Sequence, residues 1–242
     1  MSRKTILSLR TNLLTALLLL ALSLNAQAQS NTWLSVGYEG QFPDFGGINE
    51  VVAARNQLIS SSLQPMPEFQ YLQGINVSLG NKFQNNFIEA GYSFLRQSRE
   101  GQENFLFNRG LRVQASSVHL KLGYANLERS NLYAFGGILQ RDQLQIQTHQ
   151  SVFDLDDEDI EWYSVMNQAL WSAGAFIRLQ FGALAFEPYY LWPIRNRSTA
   201  SLQPLQAELL PGSADETSAT FRPGGFGFRV SLLISGPVRD TF

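Results

Sequence analysis

Two histidines, His119 and His149, and no cysteine are present in the 242 residues. Thiol nucleophiles, thiolate metal sites and disulfide bracing are therefore excluded, and any general base of the imidazole type has two places to sit. His119 lies in Ser117-Val118-His119-Leu120-Lys121. On an extended chain Ser117 and His119 share a face, roughly 6–7 Å apart along the strand. His119 as base, Ser117 as nucleophile and Glu89 as orienting acid would be the parts of an acyl-transfer site. That spacing exceeds a hydrogen bond unless the chain bends, and the same residues fit equally a polar interior with no catalytic task. The run Asp154-Leu155-Asp156-Asp157-Glu158-Asp159 places five carboxylates together, at Asp154, Asp156, Asp157, Glu158 and Asp159. They could hold calcium, yet the run lacks the glycine and the ligand spacing of an EF-hand loop, and a solvated acidic loop explains it as well. No residue pattern calls for an organic cofactor.

A second set of charges is more systematic. Glu39, Glu89, Lys121, Arg178, Glu187 and Arg229 each interrupt a stretch in which apolar and polar residues alternate, and each falls on the polar side. Three acids and three bases on one face can neutralise one another, and a buried charge is tolerable only with a partner. An internal salt-bridge network is expected.

The elements that would carry these residues are strands with period-two alternation, expected at Trp33–Phe42, Phe69–Gly80, Asn86–Arg96, Leu111–Ala125, Leu132–Arg141, Ala169–Phe181, Ala183–Ile194 and Gly225–Ser235. The last is the clearest: Phe226, Phe228, Val230, Leu232 and Ile234 oppose Gly227, Arg229 and Ser231. In the fifth, both faces are fairly apolar. Long polar connections follow the odd-numbered strands, at Pro43–Glu68, Gln97–Gly110, Asp142–Asn167 and Arg195–Gly224. Short ones follow the even-numbered strands, at Asn81–Asn85, Asn126–Asn131 and Gly182. Such an order puts every long loop at one end. The fold expected is all-β, an eight-stranded antiparallel up-and-down transmembrane β-barrel with its apolar face toward lipid. A soluble barrel around a ligand would turn the polar face to water, and about one charge per strand is sparse for that. Tyr38, Phe94, Tyr124, Tyr133, Phe181 and Trp192 stand near strand ends, where interfacial girdles form. In the first long loop, Ile48–Ile59 has the spacing of a short amphipathic helix.

The N-terminus reads as an export signal: basic Arg3, Lys4 and Arg10, the apolar stretch Leu13–Leu24, and Ala26-Gln27-Ala28 as cleavage site. Residues 1–28 are expected to be removed, with the barrel in 29–242. Cleavage takes three of the 18 basic residues and none of the 20 acidic ones, so the mature chain carries 15 against 20, net −5. No basic stripe suggests nucleic acid.

The architecture resembles the small eight-stranded outer-membrane barrels, the group of the OmpA transmembrane domain and OmpX, over Trp33 to about Ser235. Gly224-Gly225-Phe226-Gly227-Phe228-Arg229-Val230-Ser231-Leu232-Leu233-Ile234 looks like their closing strand. Members commonly end on an aromatic read by the assembly machinery. Here Phe242 is terminal, but Gly236-Pro237 places it outside the strand. Neither a plug before the barrel nor a peptidoglycan-binding domain after it is expected. The resemblance implies the cell outer membrane of a Gram-negative envelope, lipid and lipopolysaccharide as surroundings, and a monomer. A structural or interaction role is expected: envelope integrity, adhesion through the loops to an external partner, or membership of an envelope assembly. The alternatives are a barrel enzyme modifying lipid A or phospholipid, and a porin-like narrow pore or small-ligand binder. Arg99, Arg109, Arg195, Arg197 and Arg222 in the loops are candidates for lipopolysaccharide phosphates.

Overall fold

In the computed structural model, residues 31–83, 85–126, 132–152, 161–194, 200–211 and 219–235 are described. The expected signal segment, the acidic run from Asp154 to Asp159, Arg195, Arg197 and Phe242 lie outside them.

Alternating side chains give strands β1 (Asn31–Asp44), β2 (Leu72–Phe83), β3 (Asn86–Gln102), β4 (Phe107–Asn126), β5 (Leu132–Val152), β6 (Tyr163–Phe181), β7 (Leu184–Pro193) and β9 (Thr220–Ser235). Each pairs antiparallel with its sequential neighbour, and β9 returns to β1, with Tyr38 opposite Val230 and Glu39 opposite Arg229. The ring therefore has eight strands and no free edge, so its backbone donors and acceptors are satisfied inside the sheet. The two-residue β8 (Ala200–Ser201) pairs only with the outer end of β9. Helices α1 (Gly46–Leu58) and α2 (Gln203–Leu209) occupy the connections after β1 and β7.

The surface identifies the solvent. Outward positions of the central belt carry Val36, Ile75, Val77, Ile88, Val118, Leu122, Ile177 and Leu232, all exposed, with Ile75 at 62%. Inward positions at the same levels carry Glu39, Ser78, Glu89, Ser93, Ser117, Lys121 and Arg229, all buried. A polar interior under an apolar exterior is the arrangement a bilayer selects, and the fold is a transmembrane β-barrel.

Beyond Phe94, Ser117 and Asp142 the pattern inverts. Leu95, Leu111, Val113, Leu144 and Ile146 now point inward and are buried, while Arg96, Arg112, Gln114, Gln143, Gln145 and Gln147 take the outward positions. This part of the wall stands in water and encloses an apolar core. The expected loops Gln97–Gly110 and Asp142–Asn167 are corrected accordingly: they are largely strand. The β3–β4 ladder runs to Gln102 opposite Asn108, and β5–β6 runs to Thr148 opposite Tyr163. These strands outrun their expected ends because the apolar-outside pattern stops where the wall leaves the lipid. At the other end, Gly182 turns β6 into β7 with φ +60, a conformation side chains rarely adopt.

Candidate functional site

The barrel interior is filled in layers, each set by the residue type at the inward positions. At the end nearest the short turns, Trp33, Phe87 and Phe176 pack edge to face, with centroids 5.8 and 5.9 Å apart. Period-two alternation alone does not signal this aromatic floor, since Phe87 and Phe176 both occupy the otherwise polar face.

Above the floor lie the six charges, and the ladder register brings them into a single network. Lys121 Nζ is 2.7 Å from Glu89 and 2.6 Å from Glu187. Arg178 Nη2 is 2.8 Å from Glu89 and 2.6 Å from Glu187. Arg229 joins Glu187 at 3.0 Å to Glu39 at 2.9 Å. Each cation thus bridges two carboxylates, Glu187 meets all three cations, and the formal charges sum to zero. Neutral donors complete the shell: Trp33 Nε1 donates to Glu89 at 3.0 Å, and Tyr189 and Ser93 hydroxyls donate to Glu39 at 2.5 Å each. Charges removed from water need such dense pairing to persist.

The candidate acyl-transfer residues are not assembled as such. Ser117 Oγ donates to Asp142, which also accepts from Gln140 Nε2 at 2.8 Å. Glu89 belongs to the ion network. His119 is buried with neither ring nitrogen hydrogen-bonded, and its ring fills the space beside Gly91, where a Cβ would stand 2.4 Å from Nε2. All of these lie inside a closed wall, away from lipid. The second histidine, His149, packs against the Trp162 ring at 4.2 Å and places Nε2 3.4 Å from Glu100.

The outer mouth is closed by side chains. Ile48, Val51 and Val52 of α1, and Leu205 and Leu209 of α2, join Phe45, Met66, Phe69, Leu95, Leu144, Ile146 and Phe221 in one buried apolar cluster. The helix expected at Ile48–Ile59 is α1. Two asparagines seven apart pin it to the returning chain: Asn49 exchanges a pair of hydrogen bonds with the Phe69 backbone, at 2.8 and 3.0 Å, and Asn56 does so with Met66, at 2.9 and 3.0 Å. Arg55 is buried on the same helix and donates to Gln102 O at 3.0 Å. Burial holds its guanidinium below the usual arginine range, and nearby Glu103 opposes that shift.

Past the mouth, the β3–β4 hairpin ends in a fixed turn. Asn104 Oδ1 accepts from the backbone N–H of Leu106 and Phe107 at 2.8 and 2.9 Å, and Glu103 N donates to Phe107 O at 2.8 Å. This Asx turn leaves Phe105 73% and Leu106 65% exposed. Of the loop arginines described, Arg109 is engaged by Glu208 at 3.0 Å, Tyr163 at 2.8 Å and Glu103 at 3.4 Å. Arg99 Nε donates to Glu68 O at 2.9 Å, and Arg222 is exposed. Among the described residues, no group of three or more His, Asp or Glu side chains is placed to hold a metal.

No protein-family model matches the chain. No curated protein matches it either. The fold is similar to two crystal structures of Ail, the attachment invasion locus protein of Yersinia pestis. The first superimposes with a TM-score of 0.41 at 10% identity, over 85% of this chain and 99% of that one. The second, Ail in complex with the heparin analogue sucrose octasulfate, gives 0.42 at 8% identity over the same shares.

Proposed function

We propose that this protein is an outer-membrane barrel whose task is interaction at the outer end, not transport or catalysis. The observation that carries the reading is the rigid tower above the lipid belt. Two long hairpins rise from the wall, helices fill the mouth, and a hydrogen-bonded turn holds Phe105 and Leu106 out in solvent. Large apolar side chains held in water above the membrane belt have no packing role there, and such patches mark contact sites. An interior stacked with an aromatic floor, an ion network and an apolar core supports a non-conducting barrel. The burial of Ser117, bonded to Asp142, and of His119, packed beside Gly91, supports a non-enzymatic one.

In this reading residues 1–28 direct export, the tower faces outward, the surroundings are outer-leaflet lipid and lipopolysaccharide, and the chain works as a monomer. The experiment has two parts. Cell fractionation with boiled and unboiled gel samples is expected to show a heat-modifiable band in the outer-membrane fraction. Cells expressing the wild type are expected to adhere to a protein-coated surface, and cells expressing the Phe105→Ser, Leu106→Ser double variant at equal level to lose that adhesion. A soluble periplasmic product without a gel shift would overturn the location. Undiminished adhesion of the variant would overturn the contact site.

A further inference from the structure

Where the lipid-facing wall meets water on the β2–β3 side, the outer surface is indented and basic. A groove of about 400 Å³ is lined by Tyr38, Tyr71, Gln73, Arg96, Ser98 and Arg99. Its floor is tied together by the Tyr38 hydroxyl donating to Gln73 Oε1 at 2.6 Å. Gly74 also lines it and cannot carry a side chain, since a Cβ there would stand 1.8 Å from Phe94 O.

Two arginines, Arg96 and Arg99, line this groove, and a third, Arg112, stands next to it against the lining Ser98. Arg96 is exposed on the outer face, two residues beyond Phe94, and so about 7 Å above the apolar belt. Among the described residues it forms no ion pair. Arg112 is its diagonal neighbour, since Arg96 pairs with Gln114 and Ser98 pairs with Arg112. Arg112 is oriented by Ser98, which accepts from Nε at 3.2 Å, and by the Trp162 ring 3.8 Å from Cζ. Arg99 also lines the groove, with its Nε donating to Glu68 O. Arg96 and Arg112 repel one another, and Glu100, which also faces His149, partly offsets Arg112. The Glu68 side chain is exposed beside this edge. Arg96, beside the anchored Arg112 and with no carboxylate partner among the described residues, forms with Arg99 a basic site whose repulsion is relieved when an anion is present.

The height selects the anion. A group bound here sits at headgroup level, with acyl chains able to lie along Ile75, Val77 and Tyr92 below, and the tyrosines and glutamine suit sugar hydroxyls. We infer that the groove formed by Tyr38, Tyr71, Gln73, Arg96 and Arg99, with Arg112 beside it, binds the phosphorylated sugar headgroup of an outer-leaflet glycolipid. The inference rests on the outward orientation of the tower proposed above.

The test uses the mature chain refolded in phosphatidylcholine nanodiscs doped with a bis-phosphorylated lipid A, with its dephosphorylated form, or with no glycolipid plus millimolar glucosamine phosphate. Native mass spectrometry reads the lipid retained. Retention of the phosphorylated glycolipid is expected, with loss of about tenfold in Arg96→Gln, Arg99→Gln and in dephosphorylated lipid, since the charge-assisted contacts are gone. The gel shift of the variant checks its folding. Equal retention of both lipids, or undiminished retention by the folded variant, overturns the site. Occupancy by glucosamine phosphate alone at that concentration overturns the lipid as its source. A folded outer-membrane protein that retains no glycolipid would sink this inference and leave the location standing, whereas absence from the outer membrane would remove the basis of both.

Discussion

Glu89 and Lys121 are direct cross-strand partners on β3 and β4, and their side chains meet at 2.7 Å with both fully enclosed by the wall. The two residues are 32 apart in the chain, and only the hairpin register makes them neighbours. Glu89 also holds Arg178 and Trp33, so its removal would leave two cations short of a carboxylate.

Glu89→Ala is therefore expected to destabilise the barrel by about 3–5 kcal/mol, the usual consequence of orphaning a buried charge. Urea titration in lipid vesicles, read from the folded and unfolded gel bands, measures it. The double change Glu89→Leu, Lys121→Met should recover part of the loss. A single variant as stable as wild type would mean that the network contributes nothing.

Gly91 makes room for the His119 ring. Gly91→Ala should cost about 1–3 kcal/mol by overpacking. Adding His119→Ala should relieve part of that penalty, with Ser78 Cβ at 2.6 Å keeping the rest, a coupling that a double-mutant cycle in the same titration detects. Additive effects would place the strain elsewhere.

The outer core behaves as an ordinary protein interior. Leu144→Ala should cost about 2–5 kcal/mol through the cavity it leaves. Hydrogen exchange is expected to accelerate in α1 and the upper hairpins while the belt strands stay protected. Uniform acceleration would show that the two halves unfold as one.

Asn56→Ala removes the paired bonds to Met66. The segment around residues 60–68 is expected to become a preferred site of limited proteolysis, with barrel formation retained. Resistance equal to wild type would show that the Asn56 bonds are dispensable, with the Asn49–Phe69 pair and apolar packing holding the mouth closed.

Phe105→Ser with Leu106→Ser should leave stability within about 0.5 kcal/mol, because neither side chain is buried. A large drop in the denaturation midpoint would give these residues a structural role and weaken their assignment to contact.

Much of the barrel was legible in the chain. Strict alternation at stretches such as Phe226–Ile234 marks a wall with two different solvents, and the long-short order of connections marks two different ends. The six interior charges were legible for the same reason, since a charge on the polar face of a lipid-facing strand has nowhere else to go. The heights of β3 to β6 were not. Outside the bilayer, water replaces lipid on the outer face and the helices replace polar filling within, so Leu95, Leu111 and Leu144 reverse the signal while the strand continues. His119 was legible as a polar-face residue but not as a packing partner of Gly91.

By itself, then, the sequence determined the eight wall strands, the two faces of the lipid belt and the set of charges inside. These depend on local period and solvent preference, which neighbouring residues encode. Tertiary structure alone decided which charges meet, how far the wall rises, and that Arg96 and Arg99 line one groove. Those follow from register and closure, set by contacts between residues far apart in the chain, as when Glu39 meets Arg229 across 190 positions.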